Sequence, residues 1–152
     1  MKQKGIRIAL AAIEAFIGLS AVGGGIAILT GAFDQWLPVA WLQGTPFRDY
    51  LIPGLVLLIV VGGGMVLAAT AMLFLQHKFA LIFSAAMGLI MIGWEVIEVA
   101  IINRYEQAVI PSTIVQQVLF AVLGLIIVGL ATYLWVYEYG GHSSLTRHSS
   151  HA

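Results

Sequence analysis

The chain reads as an all-α membrane protein, a bundle of four transmembrane helices. Three observations predict this. Its 152 residues are 61% hydrophobic and only 9% charged, where a soluble domain carries about a quarter charged residues, so the charges are too few to cover a water-facing surface. The apolar residues fall in four long blocks with short polar punctuation, each long enough as a helix to cross a hydrocarbon core of ~30 Å at ~1.5 Å per residue. No block alternates with the period of a membrane barrel strand, and lipid leaves the backbone no third choice.

The elements follow from their breakers. The first helix is predicted over 6–30. Lys2, Lys4 and Arg7 precede it as they would a signal peptide, but the block is too long and Gly-rich and no clean cleavage site follows, so it is read as retained. The second is predicted over 50–76, with Pro53 in its first turn and Asp49 as its N-cap. The third spans 79–102. Little more than Gln76, His77 and Lys78 joins it to the second, which predicts a tight antiparallel hairpin. The fourth spans 113–137. Beyond Gly140 the run 141–152 is small and polar, hence a disordered cytoplasmic tail whose histidines are solvated.

Orientation follows from Lys and Arg. Lys2, Lys4, Arg7, Lys78 and Arg147 lie on one side and Arg48 and Arg104 on the other, which predicts both termini in the cytoplasm (N-in, C-in). Phe33, Trp36, Trp41, Phe47 and Tyr50 form the outer aromatic belt on this frame, and Tyr133, Trp135, Tyr137 and Tyr139 the inner one. The Trp- and Pro-rich segment from Gly31 to Asp49 then lies along the outer interface or over the bundle's outer mouth.

Polar and small residues gather on one stripe per helix. Arg7, Ala11, Glu14, Gly18, Ala21 and Gly25 share a face of the first. Ser84, Gly88, Met91, Glu95, Glu98 and Ile102 share one of the third, and Gln117, Ala121, Gly124, Val128 and Ala131 one of the fourth. Small residues let backbones approach, so Gly18, Gly24, Gly25, Gly63, Gly64, Gly88 and Gly124 are expected at helix contacts. The triplets 23–25 and 62–64 hint at internal similarity, but with 17 Gly in the chain no repeat is claimed.

Chemistry concentrates in three acids. An ionisable group at membrane depth costs at least ~2.5–3.5 kcal/mol, so its default reading is functional unless a structural partner is found. Glu14 sits near mid-membrane. Arg7, two turns away at ~10 Å, is too distant to pair with it. Such a carboxyl either exchanges protons, as proton-coupled transport requires, or hydrogen-bonds across helices as glue. Glu95 and Glu98 lie three apart in the outer part of the third helix. Either they pair with Arg48 or Arg104, or they hold a cation or organic amine with Trp94, Trp36 or Trp41 offering a ring face.

Other classes lack parts. No His lies inside a block to ligate haem, and no nucleotide loop or Gly-x-Ser-x-Gly turn occurs. Ser20 and Ser84 have no His at hand. A divalent metal lacks a third ligand at suitable spacing, and the absence of Cys removes thiol chemistry and iron–sulfur ligation. Scattered Lys and Arg and a formal net charge of zero leave no basic patch for nucleic acid. Catalysis and cofactors are not expected.

The stretch from Trp41 to Gly54, reading Trp-Leu-Gln-Gly-Thr-Pro-Phe-Arg-Asp-Tyr-Leu-Ile-Pro-Gly and running into Val60-Val61-Gly62-Gly63, resembles a pattern in small, uncharacterised four-helix membrane proteins of bacteria. It covers the first loop and second helix and implies a bacterial inner membrane without an activity. By analogy alone, four helices with a lone Glu in the first are similar to the small multidrug resistance transporters, where such a Glu binds protons and cationic drugs in turn within a dimer. That likeness maps to Glu14 only. The long first loop, the extra Glu95 and Glu98 and the greater length depart from it. Two functions are therefore expected as alternatives. One is transport or binding of a proton, cation or cationic amphiphile through the glutamates. The other is a scaffold whose Gly-rich faces make oligomers or dock a partner. Four helices enclose little space, so either favours at least a homodimer in the bilayer.

Overall fold

The computed structural model describes residues 2–75, 78–102 and 111–140. They form four helices, α1 (Lys2–Leu29), α2 (Leu51–Phe74), α3 (Lys78–Ile102) and α4 (Pro111–Tyr139). All four are long and apolar enough to cross a membrane, and their exposed faces carry Phe16, Leu67, Leu89 and Leu125 where a soluble bundle would place charge. The chain is a multi-pass membrane protein. The predicted tail and Arg104 lie outside the described residues.

Local chemistry sets the ends. Gly31 stops α1 by turning left-handed (φ 74°). Ala32 N–H then reaches the Ala27 carbonyl at 2.9 Å and Gly31 N–H the Ile28 carbonyl at 3.2 Å, the paired bonds of a Schellman cap. At the start of α2 the first helical bond runs from Gly54 N–H to the Tyr50 carbonyl at 2.8 Å, so the N-cap is Tyr50 and not the expected Asp49, whose carboxylate sits one residue earlier and accepts from Leu51 N–H at 3.0 Å. Between them the loop is not featureless. A 3-10 turn, Val39–Leu42, presses the buried Leu42 inward against α3.

The helices pack in a ring in which α1 touches α2 and α4, and α3 touches α4 and α2, so that α1 and α3 stand on a diagonal. α2 and α3 touch along their length, as the short link between them predicts, but the closest approaches are α1 with α2 and α3 with α4. The reason is where glycine meets backbone. A Cβ on Gly18 would lie 3.1 Å from the Gly62 carbonyl, and one on Gly88 would lie 3.0 Å from the Gly124 carbonyl. Between α2 and α3, by contrast, Gly64 receives the flexible end of Met87. Gly25 lets Leu58 of α2 close in, whereas Gly24 meets only Leu57 at ordinary distance. Gly63, expected at a contact, meets only its own helix's Leu58 carbonyl, and Gly62 is the residue that packs.

These contacts repeat. A shift of 70 carries Gly18 to Gly88 and Val22 to Ile92, and a shift of 62 carries Gly62 to Gly124 and Val66 to Val128, with the same partners touching in each pair. Burial follows suit, since residues 10, 11, 14, 17, 18, 21 and 25 of α1 are buried and so are 80, 81, 84, 87, 88, 91 and 95 of α3. The bundle is thus two similar helix pairs, α1–α2 and α3–α4, facing each other about an axis along the helices.

One segment breaks the register. Val56–Gly63 of α2 winds as π-helix. Buried Gly54 lies eight residues before Gly62, whereas buried Gln117 lies seven before Gly124, so α2 carries one residue more than its counterpart. A π-turn is how a helix absorbs a single extra residue without losing the faces on either side.

Candidate functional site

Because the two pairs face one axis, equivalent residues on α1 and α3 meet across the bundle's centre. Glu14 and Ser84 are such a pair. Both are 0% exposed, and the hydroxyl faces the carboxyl. Beyond this facing contact, neither the Glu14 oxygens nor Ser84 Oγ makes a well-aligned hydrogen bond. Glu14 lies within ~3 Å, along the axis, of the midpoint of the span Gln3–Leu29.

Eleven residues further along, ~16 Å at helical rise, the two pairs differ. The α1 side offers small residues, Ser20, Ala21 and Gly24, where α3 brings Met91, Trp94, Glu95 and Glu98. The mismatch leaves a cavity of about 80 Å³ lined by all of these, with Leu57, Gln116 and Phe120 closing its sides. It occupies the half of the bundle near the 31–50 loop.

The cavity's polar groups are unequally served. Trp94 Nε1–H donates to Glu98 Oε2 at 3.2 Å, and Gln117 also faces Glu98. Glu95 is 4% exposed, and its Oε2 has no partner, nor has Gln117 Nε2. A buried carboxylate left in this state is costly in lipid unless water, a proton or a cation reaches it. Phe120 is held in the wall by stacking on Phe16, with ring centroids 6.3 Å apart.

No arginine neutralises these acids among the described residues. Arg48 is exposed and lies in no ion pair, so the pairing with Glu95 or Glu98 that would have made them structural is not formed by Arg48. The ion pair that forms among the described residues is at the opposite end of the bundle. Arg7 Nη2 meets Glu138 Oε2 at 2.7 Å, and Nε meets Oε1 at 3.2 Å. The geometry is a two-pronged fork. Arg7 Nη1 also points at the Leu75 carbonyl at 3.5 Å, near the C-terminus of α2, so the guanidinium ties α1 to both neighbours.

Of the residues singled out from sequence, Glu95, Glu98 and Trp94 meet at the cavity, and Glu14 lies below it on the same axis. Trp36 is exposed and Trp41 half-buried, both in the loop and neither on the cavity wall. Gln116, Phe120 and Leu57 were not singled out. Gln116 had a signal, since Gln116-Gln117 is a polar pair within the apolar run of α4, but an apolar wall residue such as Leu57 looks like any lipid-facing leucine. Among the described residues no group of three or more His, Asp or Glu is placed to hold a metal ion. In comparisons with known proteins the chain matches no family model, no curated protein and no solved structure.

Proposed function

We propose that this protein binds protons or small cations at the polar axis of its bundle and moves them across the bacterial inner membrane. One observation carries the reading. Glu14 and Glu95 are buried on the inward faces of α1 and α3, Glu95 Oε2 has no protein partner, and no cationic side chain among the described residues balances the acids. Acids used as glue would be expected to find partners inside the bundle, whereas acids that serve a mobile ion are left open when the ion is away.

Size narrows the cargo. Drug-sized ligands occupy about 300–1,000 Å³, and a cavity of about 80 Å³ is too small for a cationic amphiphile. The scaffold alternative is the less favoured, because Gly18, Gly25, Gly88 and Gly124 are taken up in contacts within the chain, which leaves Gly23, Gly93 and Gly129 as the open glycines of the long helices.

Reconstitution into liposomes tests the proposal, with an imposed membrane potential and internal dyes for protons and for monovalent cations. The wild-type protein should raise flux above that of protein-free liposomes. Glu14→Gln and the double variant Glu95→Gln/Glu98→Gln should lower it tenfold or more. Wild-type flux equal to that of empty liposomes, or unchanged in the variants, would sink it.

A further inference from the structure

We propose that the cavity beside Glu95 is a binding site for a small primary ammonium cation with two or three non-hydrogen atoms. This deepens the cation reading above and rests on it. The cavity's volume of about 80 Å³ is small beside the ~300–1,000 Å³ of sites for drug-sized ligands, which favours methylammonium or ethylammonium over a bulky cation such as tetraethylammonium.

The wall is divided in the way such a cation is divided. One side presents carboxylates, with Glu95 96% buried by its 4% exposure and its Oε2 unpartnered. Glu98 stands one turn on, already held by the Trp94 indole. An ammonium group has three N–H donors and no acceptor, so it satisfies Glu95 Oε2 and retains donors for Glu98 and for the Gln116 amide oxygen. The remaining wall is soft. Trp94 and Phe120 bring rings, Met91 a thioether and Leu57 a branched alkyl, which attract an organic cation and its carbon tail. A hard metal ion seeks six or more oxygens around it, whereas the oxygens here lie on one side and the rest of the wall is carbon and sulfur.

The site also looks built rather than left over. Gly24 and Gly25 stand where the matching pair places Trp94 and Glu95. The α1 side therefore withdraws its side chains where the α3 side brings a ring and an acid.

The test uses the purified full chain in mild detergent at constant ionic strength. Its unfolding temperature is followed against methylammonium, ethylammonium, sodium, potassium and tetraethylammonium chlorides. So small a ligand makes few contacts, which places binding in the millimolar range. Methylammonium or ethylammonium should raise the midpoint saturably, and sodium, potassium and tetraethylammonium should not. Glu95→Gln should weaken the effect at least tenfold. Gly24→Val gives a second check, because a Cβ there meets only Leu57 Cδ2 at 3.4 Å. It should fill the cavity and abolish the effect while the unliganded protein keeps its unfolding temperature. Equal stabilisation by sodium or potassium overturns the ammonium assignment and leaves the cation reading standing. So does the lack of any ammonium effect in a protein that conducts in liposomes. No stabilisation by any cation, together with no flux, overturns both.

Discussion

Alanine at Gly88 and at Gly93, five residues apart on α3, should move stability in opposite directions. A Cβ on Gly88 would lie 2.9 Å from Val128 Cγ2 and 3.0 Å from both the Gly124 carbonyl oxygen and Ile127 Cγ2. Carbon contacts settle at about 3.5–4.0 Å, so the added methyl must push α4 away by about half an ångström. Backbone is one of the obstacles, and side-chain rotation alone cannot relieve it. Overpacking of this kind costs about 1–3 kcal/mol. At Gly93 nothing lies within 4 Å of the added carbon, and the better helix propensity of alanine contributes up to about 1 kcal/mol. The same propensity gain applies at Gly88, so it cancels in the comparison. The difference between the two variants is then about 1–3 kcal/mol from overpacking, roughly 5- to 150-fold in the folding equilibrium. Denaturant titration in mixed micelles, followed by helix content, measures it directly. The repeat adds a control, since Gly18→Ala and Gly23→Ala on α1 should differ in the same sense. Equal stabilities for Gly88→Ala and Gly93→Ala would refute both the packing argument and the pairing of α3 with α4.

Further outcomes follow from other parts of the molecule. Arg7→Ala should destabilise by about 3 kcal/mol, the low end for truncating one partner of a buried pair, because Arg7 and Glu138 are only 12% and 17% exposed. The swap Arg7→Glu/Glu138→Arg should recover part of the loss in the same titration. Gly31→Ala should cost about 1–2 kcal/mol by forcing a side chain into the left-handed cap, and Asp49→Ala about 1 kcal/mol by removing the hydrogen bond its carboxylate accepts from Leu51 N–H. Deleting Ile59, a lipid-facing residue of the π-segment, should yield a folded protein with an ordinary α-helix there, because the matching stretch of α4 is one residue shorter. A single deletion at Leu67, outside that segment, should not fold, and circular dichroism with size-exclusion chromatography separates the two. Reporter fusions at the N-terminus and after Gly140 should both report the cytoplasm, and one at Gln43 the opposite side.

Much of this fold was legible because membrane helices advertise themselves by length and hydropathy, and because inward stripes must carry whatever is polar or small. Glu14, Ser84, Glu95 and Gln117 all lie where their stripes put them. The pairing of helices was harder to see. The short link predicts that α2 and α3 are neighbours, as they are, but how closely each pair packs is set by which glycines face a neighbour's backbone, and that depends on rotation about each helix axis. The repeat is masked in the sequence because its matching positions hold different chemistry, glutamate against serine at 14 and 84, and glycine against glutamate at 25 and 95. The visible triplets 23–25 and 62–64 pointed to the wrong register. The π-turn leaves no mark in hydropathy, and becomes apparent only when α2 is counted against α4.

The candidate site was legible in its acids and not in its walls. Glu95, Glu98 and Trp94 share one face by spacing alone. The ion pair expected for them could not be decided from sequence, since a residue on the right side of the membrane, such as Arg48, can still turn to solvent. The true partner of Arg7 is Glu138, 131 residues away, a separation beyond any local pattern.

The central claim is that Glu95 and Glu98 serve a mobile cation. Infrared difference spectroscopy of the reconstituted protein tests it most directly, comparing carboxyl absorption with and without methylammonium at constant ionic strength. Cation-dependent carboxyl bands that vanish in Glu95→Gln/Glu98→Gln are the predicted result. Spectra that do not change on adding cation, or change identically in that double variant, would contradict it.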